Sequence, residues 1–131
     1  EAENDFALIE KMQECMALNI YHEGRGESLE GQYAIAYVTA NRVKSRRYPD
    51  TVCKVVYDPW QFSWTEVISN STPYDSVSWF KALETANNVM HGRGVPDPTD
   101  GALFYHARDI RPYWAKYQTV TVHIGNHIFY K

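Results

Sequence analysis

The chain has 131 residues, which is the length of one domain and is enough to bury a hydrophobic core. Apolar residues make up 44% and charged residues 22%, a composition that excludes disorder as the main state. The longest mostly apolar stretch, residues 34–40, is too short for a membrane span, and a net charge of −3 without a basic stripe argues against nucleic-acid binding. We therefore expect a single monomeric domain over residues 1–131.

The first half of the chain predicts helices. Apolar residues recur at three- and four-residue steps from Phe6 through Ile9 to Ile20, which predicts a first helix that ends near Glu23. A second helix is predicted from Ser28 to about residue 44, and a short third helix over residues 51–57 with Asp50 as its cap.

The middle of the chain predicts a long loop over residues 58–75, and loops of that length in small domains are often functional. It contains a glycosylation sequon at residues 70–72, which has meaning only in a secreted eukaryotic protein. Another long helix follows, capped by Asp75 or Ser76, with apolar residues such as Val77 and Phe80 at helical spacing and His91-Gly92 at its end.

The last third of the chain changes to a period of two. Residues 102–107, 119–124 and 127–130 predict strands, and Gly125-Asn126 between the last two is a hairpin turn. Helices first and a small antiparallel sheet last make an α+β fold.

The densest group of ionisable residues lies at the predicted end of the first helix, between Tyr21 and Glu27. A carboxylate there faces the negative end of the helix dipole, and aromatic neighbours that desolvate it raise its pKa. Glu23 fits the requirements of a general acid best. The competing interpretation is a solvated helix end with a weak Glu–Arg pair.

Aromatic and neutral polar residues alternate in the segment from Trp60 to Trp64. Aromatic rings stack on sugar faces, and amide or hydroxyl groups bind sugar hydroxyls without a charge cost. The same rings could instead attach the loop to the core.

The histidines and cysteines do not form a recognisable metal pattern, and we expect no metal or cofactor. Cross-strand pairing at the predicted turn places His123 and His127 on opposite faces of the sheet. Cys15 and Cys53 either form one bridge or remain buried thiols. A nucleophile pair of Cys53 with His106 stays open at this point.

Several motifs occur in order along the chain. The first contains the I-Y-x-E-x-R-G-E pattern around Glu23, and the last is the I-G-x-H-x-F-Y pattern over residues 124–130. Together they resemble the spore cortex-lytic and cell-wall hydrolase family (SleB/CwlJ type). The matching segments cover most of the sequence: residues 19–28, 30–32, 36–38, 41–43, 48–57, 61–64, 102–105 and 124–130.

The resemblance implies a lysozyme-like or lytic-transglycosylase-like domain that cleaves peptidoglycan glycan strands at the MurNAc–GlcNAc bond. The catalytic glutamate of the family falls on Glu23, and the Ala that usually follows it is Gly24 here. A single glutamate acting as acid and then as base suffices for a lytic transglycosylase that leaves 1,6-anhydro ends. A muramidase-type hydrolase would need a second carboxylate, for which the candidates are Glu27, Glu30, Asp58 and Asp109.

For the remaining site residues we expect a glycan groove lined by Gln61, Phe62, Ser63, Trp64 and Tyr105. We also expect Arg25 and Glu27 to brace the loop that holds the acid, with direct substrate contact as the alternative. Two other classes stay open: a peptidoglycan amidase or endopeptidase, and a sugar-binding module without activity. The substrate implies action at the cell wall, whether the protein is secreted, periplasmic, spore-associated or phage-encoded. Because residues 1–5 are acidic and polar, we expect no signal peptide in this sequence.

Overall fold

The first two helices form as predicted. A computed structural model describes residues 2–59, 61–67 and 73–131. Helix α1 is Ala2–Gly24 and helix α2 is Leu29–Lys44. Ser28 caps α2, because its hydroxyl accepts a hydrogen bond from the amide of Gly31 at 3.1 Å. The loop between α1 and α2 covers only residues 25–28, and α2 packs against α1.

The short helix α3, Val52–Val56, is capped differently from the prediction. Its cap is Thr51, whose hydroxyl accepts from the amide of Lys54, and the prediction of Asp50 was wrong by one residue. A disulfide joins Cys15 in α1 to Cys53 in α3, with 5.3 Å between the Cα atoms. Of the two states that the sequence left open for these cysteines, the structure has the bridge.

The predicted loop over residues 58–75 contains a helix, α4, Ser63–Val67, so the prediction of an irregular segment was wrong there. The helix is a single turn with no period to reveal it in the sequence. It forms because Phe62 and Trp64 are buried at its start, with 4% and 7% of their surface exposed. Trp60 and the sequon at residues 70–72 lie outside the described residues.

Helix α5, Ser76–Met90, is capped by Asp75 and packs against α1. Several apolar residues in the early turns of α1 and α5 are exposed: Phe6 is 65% exposed, Ile9 41%, Val77 65% and Phe80 68%. They lie in helices, as their spacing predicts, but the core includes other positions, among them Trp79 and Ala82 of α5.

The three strands form one antiparallel sheet in the order β1-β3-β2. Strand β1 is Phe104–Ala107, β2 is Val120–Ile124 and β3 is His127–Tyr130. The register pairs Ile124 with His127 across the predicted turn, and His123 with Ile128. A 3-10 helix that the sequence did not predict, Tyr113–Tyr117, lies between β1 and β2.

Two apolar clusters support this arrangement. The larger one surrounds the second half of α1, where residues 15–21 are all buried. The smaller one lies between α2 and the sheet and contains Ala34, Val38, Ala102, Ile124 and Phe129. The α+β prediction is therefore confirmed, and no helix of the described residues is long and apolar enough to cross a bilayer.

Candidate active site

Glu23 lies in the last turn of α1, one residue before the helix ends. Its side chain is half-buried, and the buried turns before it hold the end of the helix in place. At the next residue, Gly24, an added Cβ would lie 2.8 Å from Cδ1 of Ile35, so that end of the Ile35 side chain would have to shift. Gly24, which departs from the family pattern, therefore lies close against Ile35 of α2.

A single hydrogen bond joins Glu23 to the sheet: the hydroxyl of Tyr105, on β1, donates to its Oε1 at 2.8 Å. Burial raises the pKa of Glu23 above its ordinary value of 4.5, while the bond from Tyr105 and the nearby His127 and Arg42 act in the opposite direction. Burial and the adjacent carboxylate raise the pKa of Tyr105 well above 10. Tyr105 therefore stays a neutral donor, and Glu23 keeps its proton to a higher pH than an exposed glutamate.

An open cleft of about 560 Å³ lies in front of Glu23. A second cavity of about 390 Å³ adjoins it, and the two share Gln61, Tyr105, His106 and Ile110. They are two arms of one groove, which we call the acid arm and the Arg42 arm. The acid arm is also lined by Glu23, Phe62, Ser63, Glu66, Ala107 and His127. The Arg42 arm is also lined by Arg42, Tyr48, Phe104, Pro112, Trp114 and Gln118.

The side chains of the aromatic segment, residues 61–64, lie partly in the groove and partly in the core. Gln61 and Ser63 are exposed and line the acid arm, and Phe62 lines it from a buried position. Trp64 points into the core, where its indole N–H donates to Oδ1 of buried Asn19 at 2.9 Å. It also stacks on the ring of His22 at 4.5 Å between centroids, so it supports the cleft from behind.

Glu27 connects the α1–α2 loop to the hairpin turn. Its Oε1 accepts from the amide of Asn126 at 3.1 Å and its Oε2 from the side-chain amide at 2.9 Å. Burial opposes ionisation of Glu27, but these two bonds and His127, 3.6 Å away, together lower its pKa. The carboxylate is occupied by the hairpin and is not among the residues that line the acid arm.

Arg25 points away from Glu23. It donates to the hydroxyl of Tyr21 at 2.7 Å and to that of Tyr74 at 2.6 Å, and its guanidinium lies over both rings. The amides of Tyr74 and Asp75 also bond to the hydroxyl of Tyr21. Arg25 thus joins the end of α1 to the start of α5.

Among the described carboxylates, those that line the acid arm are Glu23 and Glu66. Glu30 and Asp109 are exposed elsewhere, and Asp58 lines a different surface hollow beside α3. Sequence reasoning missed Glu66 because it assigned that segment to a loop. A helix of five residues is too short to show a periodic pattern, so no sequence signal marked Glu66.

The other sequence candidates for chemistry are occupied by structural contacts. Cys53 is in the disulfide, so a nucleophile pair with His106 does not exist in this structure. The ring of buried His106 bonds to the hydroxyl of Tyr130 at 2.6 Å and to the carbonyl of Ala107 at 2.7 Å. His123 is exposed while His127 lines the acid arm, which confirms that the two point apart.

Comparison with known proteins gives the family. The family model for cell wall hydrolases matches residues 26–130. The chain belongs to the cell wall hydrolase family. A spore cortex-lytic enzyme of Oceanobacillus iheyensis is 35% identical over an alignment of 126 positions that covers 90% of this chain. The family resemblance that the sequence motifs predicted is confirmed.

Solved members of the cell wall hydrolase family have the same fold. The catalytic domain of the germination-specific lytic transglycosylase SleB from Bacillus anthracis superposes with a TM-score of 0.74 at 32% identity, covering 92% of this chain and 93% of that one. The catalytic domain of SleB from Bacillus cereus matches equally well, at 31% identity and 93% coverage of this chain. The predicted fold class is confirmed by both.

The extent of these matches bears on the site. The chain spans about two fifths of the curated relatives, 41% of the Oceanobacillus iheyensis enzyme. The residues matched by the family model begin three positions after Glu23. The role of Glu23 is therefore argued from the geometry of the site.

Proposed function

We propose that this protein cleaves the β-1,4 bond between N-acetylmuramic acid and N-acetylglucosamine as a lytic transglycosylase, with Glu23 as acid and then base. The observation that carries the proposal is the environment of Glu23. A half-buried carboxyl with a raised pKa holds a hydrogen bond from Tyr105 and opens onto a long groove. This is what an acid that protonates a leaving oxygen near neutral pH requires.

In the first step, the Glu23 carboxyl gives its proton to the glycosidic oxygen while the bond from that oxygen to C1 of muramic acid breaks. The N-acetylglucosamine leaves as an alcohol, and positive charge develops at C1. In the second step, the Glu23 carboxylate takes the proton of the muramic acid 6-hydroxyl as its oxygen bonds to C1. No water is consumed, and Glu23 returns to its protonated form. The bond from Tyr105 orients the carboxyl in both steps.

The groove residues have separate parts in this proposal. Gln61 and Ser63 bind sugar hydroxyls, and Phe62 and Tyr105 form the apolar floor of the acid arm. Trp64 supports them through its bond to Asn19. Alanine at Gln61 or Ser63 should raise KM, since each removes a contact to the ground state as well as to the transition state.

A muramidase-type hydrolase is the second candidate, and Glu66 is the observation that favours it. It is the other carboxylate of the acid arm, it is exposed to water, and hydrolysis uses two carboxylates. In that mechanism Glu66 would activate water on the far side of the sugar ring.

Mass spectrometry of the soluble products of purified peptidoglycan separates the two. Muropeptides one water lighter than the reducing form support the transglycosylase, and Glu66→Gln should then retain most activity. Fully hydrated reducing ends together with an inactive Glu66→Gln variant contradict it and establish the hydrolase. Binding without any product would instead mean a sugar-binding module.

We also propose that the protein works as a monomer outside the reducing cytoplasm, at the cell wall. The Cys15–Cys53 disulfide agrees with an oxidising compartment, where such bonds persist. It also removes the thiol that a cysteine amidase or endopeptidase would need, since both cysteines of the chain are in the bridge.

A further inference from the structure

The Arg42 arm contains a buried cation with unused hydrogen-bonding capacity. Arg42 lies on α2 and is 5% exposed. Its Nε donates to the carbonyl of Leu103 at 2.7 Å, and its guanidinium carbon lies 4.9 Å from the ring centre of Tyr48 and 5.4 Å from that of Phe62. Its Nη1 is buried and has no hydrogen-bond partner within the described part of the chain.

The charge of Arg42 is not matched by a contact. Among the described residues, no carboxylate comes within 4.0 Å of its guanidinium. The acids that act on it from further away are Asp58 and Glu23. Before the reaction Glu23 is protonated and therefore uncharged. In that state it does not offset the positive charge of Arg42. An unpaired guanidinium in a buried position is costly, and a ligand anion would offset that cost.

The walls of the arm suit a sugar ring. Tyr48, Phe104 and Trp114 follow one another, with 6.3 Å between the first two ring centres and 5.6 Å between the last two. Exposed Arg47 lies over Phe104 at 5.3 Å and adds a second positive charge at the rim. Aromatic faces beside a fixed guanidinium match a ring that carries an acidic substituent.

We propose that the Arg42 arm binds a carboxylate-bearing sugar of the glycan strand, stacked on Trp114 and Phe104, with its carboxylate beside the part of the Arg42 guanidinium that lines the arm. The inference rests on the proposed function of the same groove. In peptidoglycan such a carboxylate has two sources: the lactyl group of a muramic acid without peptide, or the stem peptide of a substituted one. The arm would then select the position of muramic acid along the strand and so determine which glycosidic bond meets Glu23.

The test measures binding by calorimetry to Glu23→Gln, which stops turnover, with three oligosaccharides of equal length. One is an N-acetylglucosamine oligomer without carboxylates, one is peptide-free glycan, and one is glycan with stem peptides. We expect at least one carboxylate-bearing ligand to bind about tenfold more tightly than the neutral oligomer, which is the usual gain from one charge-assisted bond. Preference for the peptide-free strand identifies the lactyl group, and preference for the peptide-bearing strand alone identifies the stem.

Substitutions then test whether Arg42 causes the preference for carboxylate-bearing ligands. Arg42→Met should reduce the ratio of affinities to about one, and Arg42→Lys should leave an intermediate ratio because a lysine keeps the charge but loses the planar donor pair. Trp114→Ala should weaken all three ligands without changing the ratio. Arg93→Met, which removes an exposed arginine outside both arms, is the matched control and should change nothing.

Equal affinity for the three ligands overturns the proposal, as does a folded Arg42→Met variant that keeps the preference. If Arg42→Met does not fold, the comparison of the three ligands and the Arg42→Lys variant still test the proposal. The cleavage products of the wild-type protein are measured separately. If the wild type cleaves peptidoglycan but the three ligands bind equally well, only this inference is contradicted. Absence of cleavage contradicts the proposed function.

Discussion

At the scale of single residues, the site depends on how Glu23 is kept protonated. We expect Glu23→Gln to abolish cleavage while the variant is at least as stable as wild type at neutral pH. The folded state holds the protonated carboxyl more tightly than the unfolded state does, so its contribution to stability is present below pH 4.5 and is lost as pH rises through the raised pKa. Thermal melts at pH 4 and pH 7 measure this. A Gln variant that melts lower than wild type at pH 7, or that still cleaves, would contradict the assignment.

The hydrogen bond from Tyr105 makes a second prediction at this scale. Tyr105→Phe removes a bond that favours the carboxylate form of Glu23 and so should raise the pKa of Glu23 further. The alkaline limb of the pH–rate profile should move to higher pH, and kcat should fall about tenfold because the carboxyl loses its orientation. If the alkaline limb does not move, the hydrogen bond from Tyr105 does not affect the pKa of Glu23.

At the scale of secondary-structure elements, the hairpin turn is attached to the α1–α2 loop through Glu27. Gly125 has a φ of 55°, and a Cβ there would collide with Oε1 of Glu27. Gly125→Ala should therefore destabilise the fold by about 2–3 kcal/mol, from strained backbone and from the displaced carboxylate together.

Gly92→Ala is the matched control for that substitution. Gly92 has a φ of 68°, but a Cβ there would meet nothing within 4 Å. It should cost only the backbone strain, about 1 kcal/mol. Urea unfolding of both variants gives the difference, and equal losses would mean that the contact between Glu27 and the turn contributes nothing.

The disulfide between α1 and α3 makes a second prediction at the scale of elements. It closes a loop of 38 residues, so its removal should lower the free energy of unfolding by about 4 kcal/mol in the chain-entropy model. Urea unfolding of wild type with and without reductant measures the loss, with a Cys15→Ala, Cys53→Ala double variant as the control for side reactions. If the reduced protein is as stable as the oxidised one, the bridge does not stabilise the fold and the prediction is wrong.

At the scale of the whole molecule, the groove is assembled from parts of the chain that are far apart. Glu23 comes from α1, Gln61 from the segment before α4, Tyr105 from β1 and His127 from β3. Unfolding of the sheet would remove the donor to Glu23 and one wall of both arms. We therefore expect activity and the near-ultraviolet circular dichroism signal to be lost together on heating, and loss of activity well before unfolding would contradict a groove built across the whole fold.

The sequence by itself determined the family, the α+β class, most helix and strand bounds, and Glu23 as the acid to test. These follow from local signals: helical periodicity, the Asp75 cap, the Gly125-Asn126 turn and the ordered family motifs. Side-chain periodicity also sufficed to separate His123 from His127, because neighbouring pairs on two strands face opposite sides.

Only the tertiary structure decided which residues face the groove. Trp64 and Phe62 are neighbours in an aromatic segment, yet burial against Asn19 takes Trp64 out of the cleft. Helix α4, and with it Glu66, depends on packing that a one-turn helix cannot signal in sequence. The Arg42 arm was not predicted because its residues come from α2, β1 and the 3-10 helix, and only packing in three dimensions places an aromatic wall beside a buried guanidinium.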